Sequence, residues 1–319
     1  MSEVASFDVK QTLVASTTFG PAEIAQINQA INEDYLQFGV LRDSVQELET
    51  REDRSPAMTA KLGVCYFLLG KYRLASETLA NADGGALALY YLGKSQAALG
   101  RNDEALASFE SAKTAGYNAD DCLLAITDVL RAKGEFAKAL ETLDNMFGAV
   151  EQTGEYLYQR GATVAAIGDN PQEAIALYER AIEADEHHEG ALFGLGLEND
   201  RHGNDEVALR HYQRSASRFP THVGSLLNLG LLYEDRDDFE KALSCYRRVL
   251  DVYPNEPRAR LFVKDAQASG DMFYDEEAQR KRDRLAQILS VPVTDFELTV
   301  RSRNCLQKMG IHTLGDLTR

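Results

Sequence analysis

The sequence predicts an all-α solenoid, with antiparallel helix pairs stacked side by side over a continuous core. Two observations carry this. Small residues recur at Gly63, Gly93, Thr127, Gly161, Gly196 and Gly230, spaced by 30, 34, 34, 35 and 34 residues, and a fixed period of that length marks a repeat architecture. Twelve or thirteen residues after each stands an alanine: Ala75, Ala105, Ala139, Ala174, Ala208 and Ala242. The composition agrees. The 319 residues are 44% hydrophobic, with seven prolines and no tryptophan, enough apolar content for a core and few helix breakers.

Residues 1–20 are polar and without period, and are expected to form a flexible tail. Pro21 to Leu36 and Val40 to Leu48 read as two helices within an N-terminal capping segment, 21–53, since the end of an array needs a partly polar outer face. Six helix pairs follow over 54–256. In each, the small residue on the first helix lets the second approach closely, and the alanine does the same from the other side. Gly70, Gly100, Gly134, Gly168, Gly203 and Asp237 mark the turns between them, where a left-handed backbone would end the first helix. Four residues past each alanine comes a large side chain (Leu79, Phe109, Leu143, Tyr178, Tyr212, Tyr246). It shares the alanine's helical face and is expected to fill the seam with the next repeat.

Two repeats depart from the pattern. The fourth carries an extra residue between Gly168 and Ala174, which predicts a wider turn; the third lacks both Gly and Tyr at the expected places, which predicts less regular packing. Beyond the array, 257–290 reads as C-terminal capping helices and a linker, with helices over Pro257 to Ala268 and Asp275 to Leu289. The acidic start of the latter (Asp275, Glu276, Glu277) and its basic continuation (Arg280, Lys281, Arg282, Arg284) suit the helix dipole.

Residues 54–256 resemble the tetratricopeptide repeat, and Pro220 and Pro254 stand where that family often ends a repeat. The resemblance implies a right-handed superhelix whose inner groove is lined by the first helix of each pair. By matching positions, the groove would present Tyr90, Lys94, Tyr158, Phe193, Leu197, Leu227 and Leu231, anchors suited to an extended or helical peptide. The competing expectation is that such side chains complete the core. Of the family's clamp for chaperone tails only Asn228 is matched, which argues against that role.

After Pro292 the texture changes. The run Glu297-Leu298-Thr299-Val300-Arg301-Ser302, then Asn304-Cys305-Leu306 and Gly315-Asp316-Leu317, resembles the first half of the C-terminal domain of the bacterial RNA polymerase alpha subunit over 291–319. The resemblance implies a helix-hairpin-helix segment that touches the DNA minor groove and transcription factors. Arg301, Asn304 and Cys305 match its DNA-contacting residues. Arg301 near a helix start and Asn304 one turn on suit donation to phosphate or minor-groove acceptors, and Thr313 with Asp316 suits a capping box. The sequence reaches Arg319 before the Gly-Lys-rich second hairpin of that family. A tail without DNA affinity is therefore the competing expectation, since roughly 40 residues are usually needed to fold unaided.

Charge divides the chain in the same place. The formal net charge is −16; residues 280–319 hold eight Lys or Arg against four Asp or Glu, a net of +4, leaving −20 for residues 1–279. Any nucleic-acid contact should lie near the C-terminus. Four scattered cysteines without a CxxC pair argue against a disulfide framework or zinc site and fit a reduced cytoplasm. No secretory signal or membrane-length apolar run occurs. No nucleotide, hydrolase or metalloprotease motif is present, so no catalytic residue, cofactor or metal is assigned. His187-His188, among Asp185, Glu186 and Glu189, reads as a solvated turn, and His202 and His211 lack a ligand pattern. The function expected is a non-enzymatic scaffold binding a protein or peptide in its groove, linked to bacterial transcription or DNA through its C-terminus. The alternative is a general protein-interaction scaffold without a DNA or polymerase role.

Overall fold

Stretches rich in alanine, leucine and glutamate, punctuated by glycine, fold into short antiparallel helices. A computed structural model describes residues 7–15, 18–51, 55–217 and 222–318. Helices α1 (Pro21–Glu33) and α2 (Tyr35–Glu49) precede the array. Its pairs are α3 (Pro56–Leu68) with α4 (Tyr72–Ala80), α5 (Ala86–Ala98) with α6 (Asn102–Thr114), and α7 (Ala119–Ala132) with α8 (Phe136–Asp144). Then come α9 (Gly154–Ile167) with α10 (Pro171–Ala184), α11 (Glu189–Arg201) with α12 (Asp205–Ser215), and α13 (Val223–Glu234) with α14 (Phe239–Val252). Beyond them lie α15 (Pro257–Leu289), α16 (Val300–Lys308) and α17 (Leu314–Leu317). Helices α3, α5, α7, α9 and α11 touch in series, so the first helices share one side of the stack. No helix among the described residues is long and apolar enough to cross a membrane.

The turns take the predicted left-handed backbone at all six positions, and Asp237, with φ 58°, is the non-glycine there. In the fourth repeat Asp169 and Asn170 both stand between Gly168 and Pro171, where the other repeats have a single residue, and Asn170 caps α10. The third repeat differs in its exit: Met146 and Val150 are buried beside a 3-10 turn, Ala149–Gln152. Thr127 replaces glycine without leaving a polar orphan, because its hydroxyl returns to the Leu123 carbonyl at 2.9 Å.

The large residue after each alanine acts differently from expectation. It first fills its own pair. A Cβ added at Gly63 would stand 2.5 Å from Leu79 Cγ, at Gly93 2.7 Å from Phe109 Cε1, and at Gly196 2.5 Å from Tyr212 Cε1. Only then does it reach the next repeat: Tyr178 abuts both Gly161 and Gly194, and the Tyr212 hydroxyl donates to Asp200 (3.1 Å) and accepts from Asn228 Nδ2 (3.1 Å).

Both ends correct the sequence reading. Residues 7–15, expected within a flexible tail, bury Val9 and Leu13 against the first helices, and Lys61 Nζ donates to the Thr12 carbonyl at 3.1 Å. The hydrophobic spacing of so short a segment is too sparse to reveal this docking. At the other end, the two helices expected over 257–290 are one continuous helix, α15, because Gly270 has no adjacent breaker and costs only about 1 kcal/mol. Pro220 and residues 1–6, 16–17 and 52–54 lie outside the described residues, as do the side chains of Asp275, Glu276 and Glu277. The array also meets itself. Gly70 and Tyr72, at the first turn, lie against Tyr253 at the end of the sixth pair, with hydroxyls 3.1 Å apart and ring centroids 6.2 Å apart.

Two substitutions test this geometry by thermal and urea unfolding. Gly196→Ala should destabilise by about 1–3 kcal/mol, because Tyr212 has no free space to yield. Asp237→Gly should stabilise by up to about 1 kcal/mol by relieving a left-handed residue that bears a Cβ.

Candidate functional site

The first helices enclose a cleft of about 440 Å³ on the concave side, between α3 and α9. Its walls are aromatic on one side (Phe67, Tyr72, Tyr90) and acidic on the other (Asp121, Asp128, Glu155). Tyr90 is fixed by stacking on Tyr117 at 4.1 Å, the residue just before the α7 cap Asn118. The exposed Lys94 ammonium stands 5.6 Å from the Phe67 ring centroid and 5.9 Å from that of Tyr90, a cation–π geometry. It forms no ion pair among the described residues.

The acidic wall is unevenly neutralised. Asp128 pairs with Arg131, which also donates to Gln159 Oε1 at 2.5 Å. Burial would raise the Glu155 carboxyl, but hydrogen bonds from His188 (3.1 Å) and Gln159 (2.8 Å) outweigh it and hold the group at about 2. The Asp121 carboxylate has no hydrogen bond or ion pair among the described residues. Burial raises its pKa, and Asp120 and Glu155 add to the rise against the opposing charge of Lys94.

Of the groove residues named from sequence, Tyr90 and Lys94 meet in this cleft, while Tyr158 lines a second opening beside it with His188 and His222. Tyr158 and Phe193 are half-buried seam residues: Gly190 and Gly224 of the following first helices press on their rings, at 2.6 and 3.0 Å from an added Cβ. Leu197 is half-buried and Leu231 37% exposed. Leu227 must be withdrawn as a groove anchor. It is 2% exposed and belongs to the core of the last repeats, because its first helix is covered by its own pair and by α12.

Sequence reasoning missed the histidines. His188, expected in a solvated turn, caps α11 by accepting from Ala191 N at 3.2 Å, and its ring lies 4.9 Å from Tyr158. His222, 34 residues later, caps α13 through Ser225 N at 3.1 Å, with its ring 4.6 Å from Phe193. The repeat spacing of the two was the available signal. Asp121 and Glu155, also 34 apart, carried the same signal.

In the C-terminal segment, Val293 N donates to the His312 carbonyl (2.9 Å) and Leu314 N to that of Val291 (3.0 Å), pinning the start of the 3-10 turn Val293–Asp295 to the residues that open α17. Thr313 and Asp316 form the predicted capping box. Arg301, Asn304 and Cys305 are exposed on α16, at spacings that share one helical face.

A stack of helix pairs with a concave, aromatic-lined cleft defines a helical-repeat solenoid. Comparison with known families places matches along the chain: residues 87–114, 162–223 and 224–256 each match the tetratricopeptide repeat, and 279–319 match the C-terminal domain of the bacterial RNA polymerase alpha subunit. The protein thus carries tetratricopeptide repeats followed by an alpha-subunit-like segment. It is similar to a component of the APC/C hetero-tetramer Cut9-Hcn1 (15% identity, TM-score 0.52, covering 80% of this protein and 50% of that one). It is also similar to a tetratricopeptide repeat protein from Parabacteroides merdae (12% identity, TM-score 0.53, covering 77% and 93%). These likenesses concern the fold. The C-terminal segment is 57% identical over 35 residues to the DNA-directed RNA polymerase subunit alpha of a Nocardioides species, and that match spans 10% of the relative's length. The repeats support a protein-interaction scaffold.

The cap at His222 predicts a pH response. Its Nδ1 accepts a hydrogen bond and must stay unprotonated, and burial depresses its pKa from 6.5 to about 4. The unfolded state therefore takes up this proton first. The stability it contributes is full above about pH 6.5 and is lost as pH falls through about 4, an effect on the order of 3 kcal/mol. His222→Asn, which keeps an acceptor at the cap, should flatten urea-unfolding stability over that window, whereas the Glu155 contribution is lost only between its ordinary range and about 2.

Proposed function

We propose that this protein is a non-enzymatic scaffold that holds a partner protein in its concave cleft and links it to DNA or the bacterial transcription apparatus through its C-terminal segment. The observation that carries the first half is the cleft itself, a concave site between repeats lined by fixed aromatic rings and charged groups. Such surfaces bind peptides through a few anchored side chains. The second half is supported by the match over 279–319 and by the exposure of Arg301, Asn304 and Cys305 on one face of α16. The charge reversal helps it too: the −20 of residues 1–279 repels phosphate, and the +4 of residues 280–319 attracts it.

A second reading is favoured by the apolar surface of the same segment. Val300 is 75% and Met309 66% exposed, and α16 buries no residue, which suits contact with protein instead of DNA. In that reading the protein is a general scaffold with no DNA or polymerase role.

Fluorescence anisotropy of the full-length protein with a labelled duplex, across a salt titration, separates them. The first reading predicts binding that weakens with salt, and Arg301→Ala should weaken it further and reduce the salt slope by about 1. Binding that is absent or indifferent to salt and to Arg301→Ala rejects the DNA link. Reconstitution with purified RNA polymerase then decides between a transcription partner and the general scaffold.

A further inference from the structure

We propose that the cleft between α3 and α9 recognises an extended peptide segment bearing an arginine or lysine beside an apolar residue, the cation seated at Asp121 and the apolar neighbour on Phe67 and Tyr90. This rests on the reading of the array as a scaffold and names the chemistry of what it holds.

Three features argue for a cation. Carboxylates outnumber cations in the lining, with Asp121, Asp128 and Glu155 set against Lys94. They are not interchangeable: Asp128 is spent on Arg131 and Glu155 on His188 and Gln159, while the Asp121 carboxylate meets no partner among the described residues. Asp121 and Glu155 also keep the repeat register, 34 residues apart in the first turns of α7 and α9, and Glu189 continues it in the first turn of α11. One carboxylate per repeat along the inner side forms a track that a basic segment can follow. Acids in first turns also suit the helix dipole. That explains their presence; Asp121 differs in being both exposed at the cleft and unpaired, so its carboxylate is the one of the three open to a cation from outside.

Two further features define the rest of the ligand. The flat rings of Phe67, Tyr72 and Tyr90 offer apolar area to the residue next to the cation. The Tyr158 hydroxyl, on a ring largely enclosed by His188 and Gly190, has no hydrogen-bond partner among the described residues, and Tyr158 lines the adjoining opening; it suits a peptide carbonyl. Tyr72, on the cleft wall, also meets Tyr253 of the last pair. A groove of this kind suits an extended peptide segment. Arginine should exceed lysine, because its planar fork pairs with a carboxylate at two points.

The probe is a fluorescein-labelled peptide of three Ala-Leu-Arg repeats, compared with versions carrying Gln or Glu in place of Arg, titrated with the full-length protein at low salt. The arginine peptide should bind, and Asp121→Asn should weaken it about tenfold, the scale of a charged hydrogen bond. Asp205→Asn, the same charge change on the outer helix α12, should leave it unchanged. Lys94→Met should strengthen it several-fold, since the Lys94 ammonium is a like charge near the seat of the incoming cation. Circular dichroism confirms that each variant folds. Equal effects of Asp121→Asn and Asp205→Asn would overturn the assignment. Preferential binding of the glutamate peptide, abolished by Lys94→Met, would overturn it too while leaving a peptide-binding groove intact. If no peptide binds, the assignment fails. The scaffold reading itself fails if blocking the cleft, by a bulky maleimide on Lys94→Cys in a Cys305→Ser background, leaves association with a reconstituted partner unchanged.

Discussion

The structure depends on one steric constraint repeated along the sequence: a first helix must offer almost no side chain where the second helix inserts a large one. At Gly230 any Cβ would collide with the Tyr246 ring, and Gly63, Gly93 and Gly196 are nearly as tight. This close approach lets each pair bury its own contact and present a regular apolar face to the next. Since a lone pair would leave that face in water, the same constraint enforces stacking. The buried alanines opposite complete the fit, with Ala75, Ala105, Ala139, Ala174, Ala208 and Ala242 all fully enclosed.

The concave side inherits its chemistry from how repeats join. Aromatics on one first helix meet the N-terminus of the next, where His188 or His222 caps it and Gly190 or Gly224 permits contact. Residues that looked like free anchors, Tyr158 and Phe193, are thereby half consumed as seam. Earlier in the array the seam is different. Tyr90 stacks on Tyr117 instead of a histidine, and the space left between Phe67, Lys94 and Asp121 becomes the cleft. The candidate site thus sits where the repeats are least alike.

The C-terminal region follows another logic. Helix α15 continues for 33 residues, packing on α14 near its start and touching α17 near its end. It connects the acidic array to a basic segment in which Val293 is buried, α16 exposes all its side chains but that of the half-buried Leu306, and Leu314 and Asp316 of α17 are half-buried. Charge and apolar surface are both presented outward there, which is why a DNA contact and a protein contact compete as readings.

The sequence alone determined the repeat: the period, the small-to-large pairing and the left-handed turns follow from local sterics, down to Asp237 standing in for glycine. It also determined the capping box at Thr313, since a cap involves residues three apart. What only the tertiary structure decided were contacts between residues distant in sequence. Leu227 and Leu231 lie one turn apart on the same helix, yet one is core and the other surface. The docking of Val9 and Leu13, the partners of Asp121 and Glu155, and the meeting of Tyr72 with Tyr253 across 181 residues depend on how small rotations between repeats accumulate. A period of 34 specifies that neighbours stack, but the curvature that brings opposite ends of the array together is set by every seam at once.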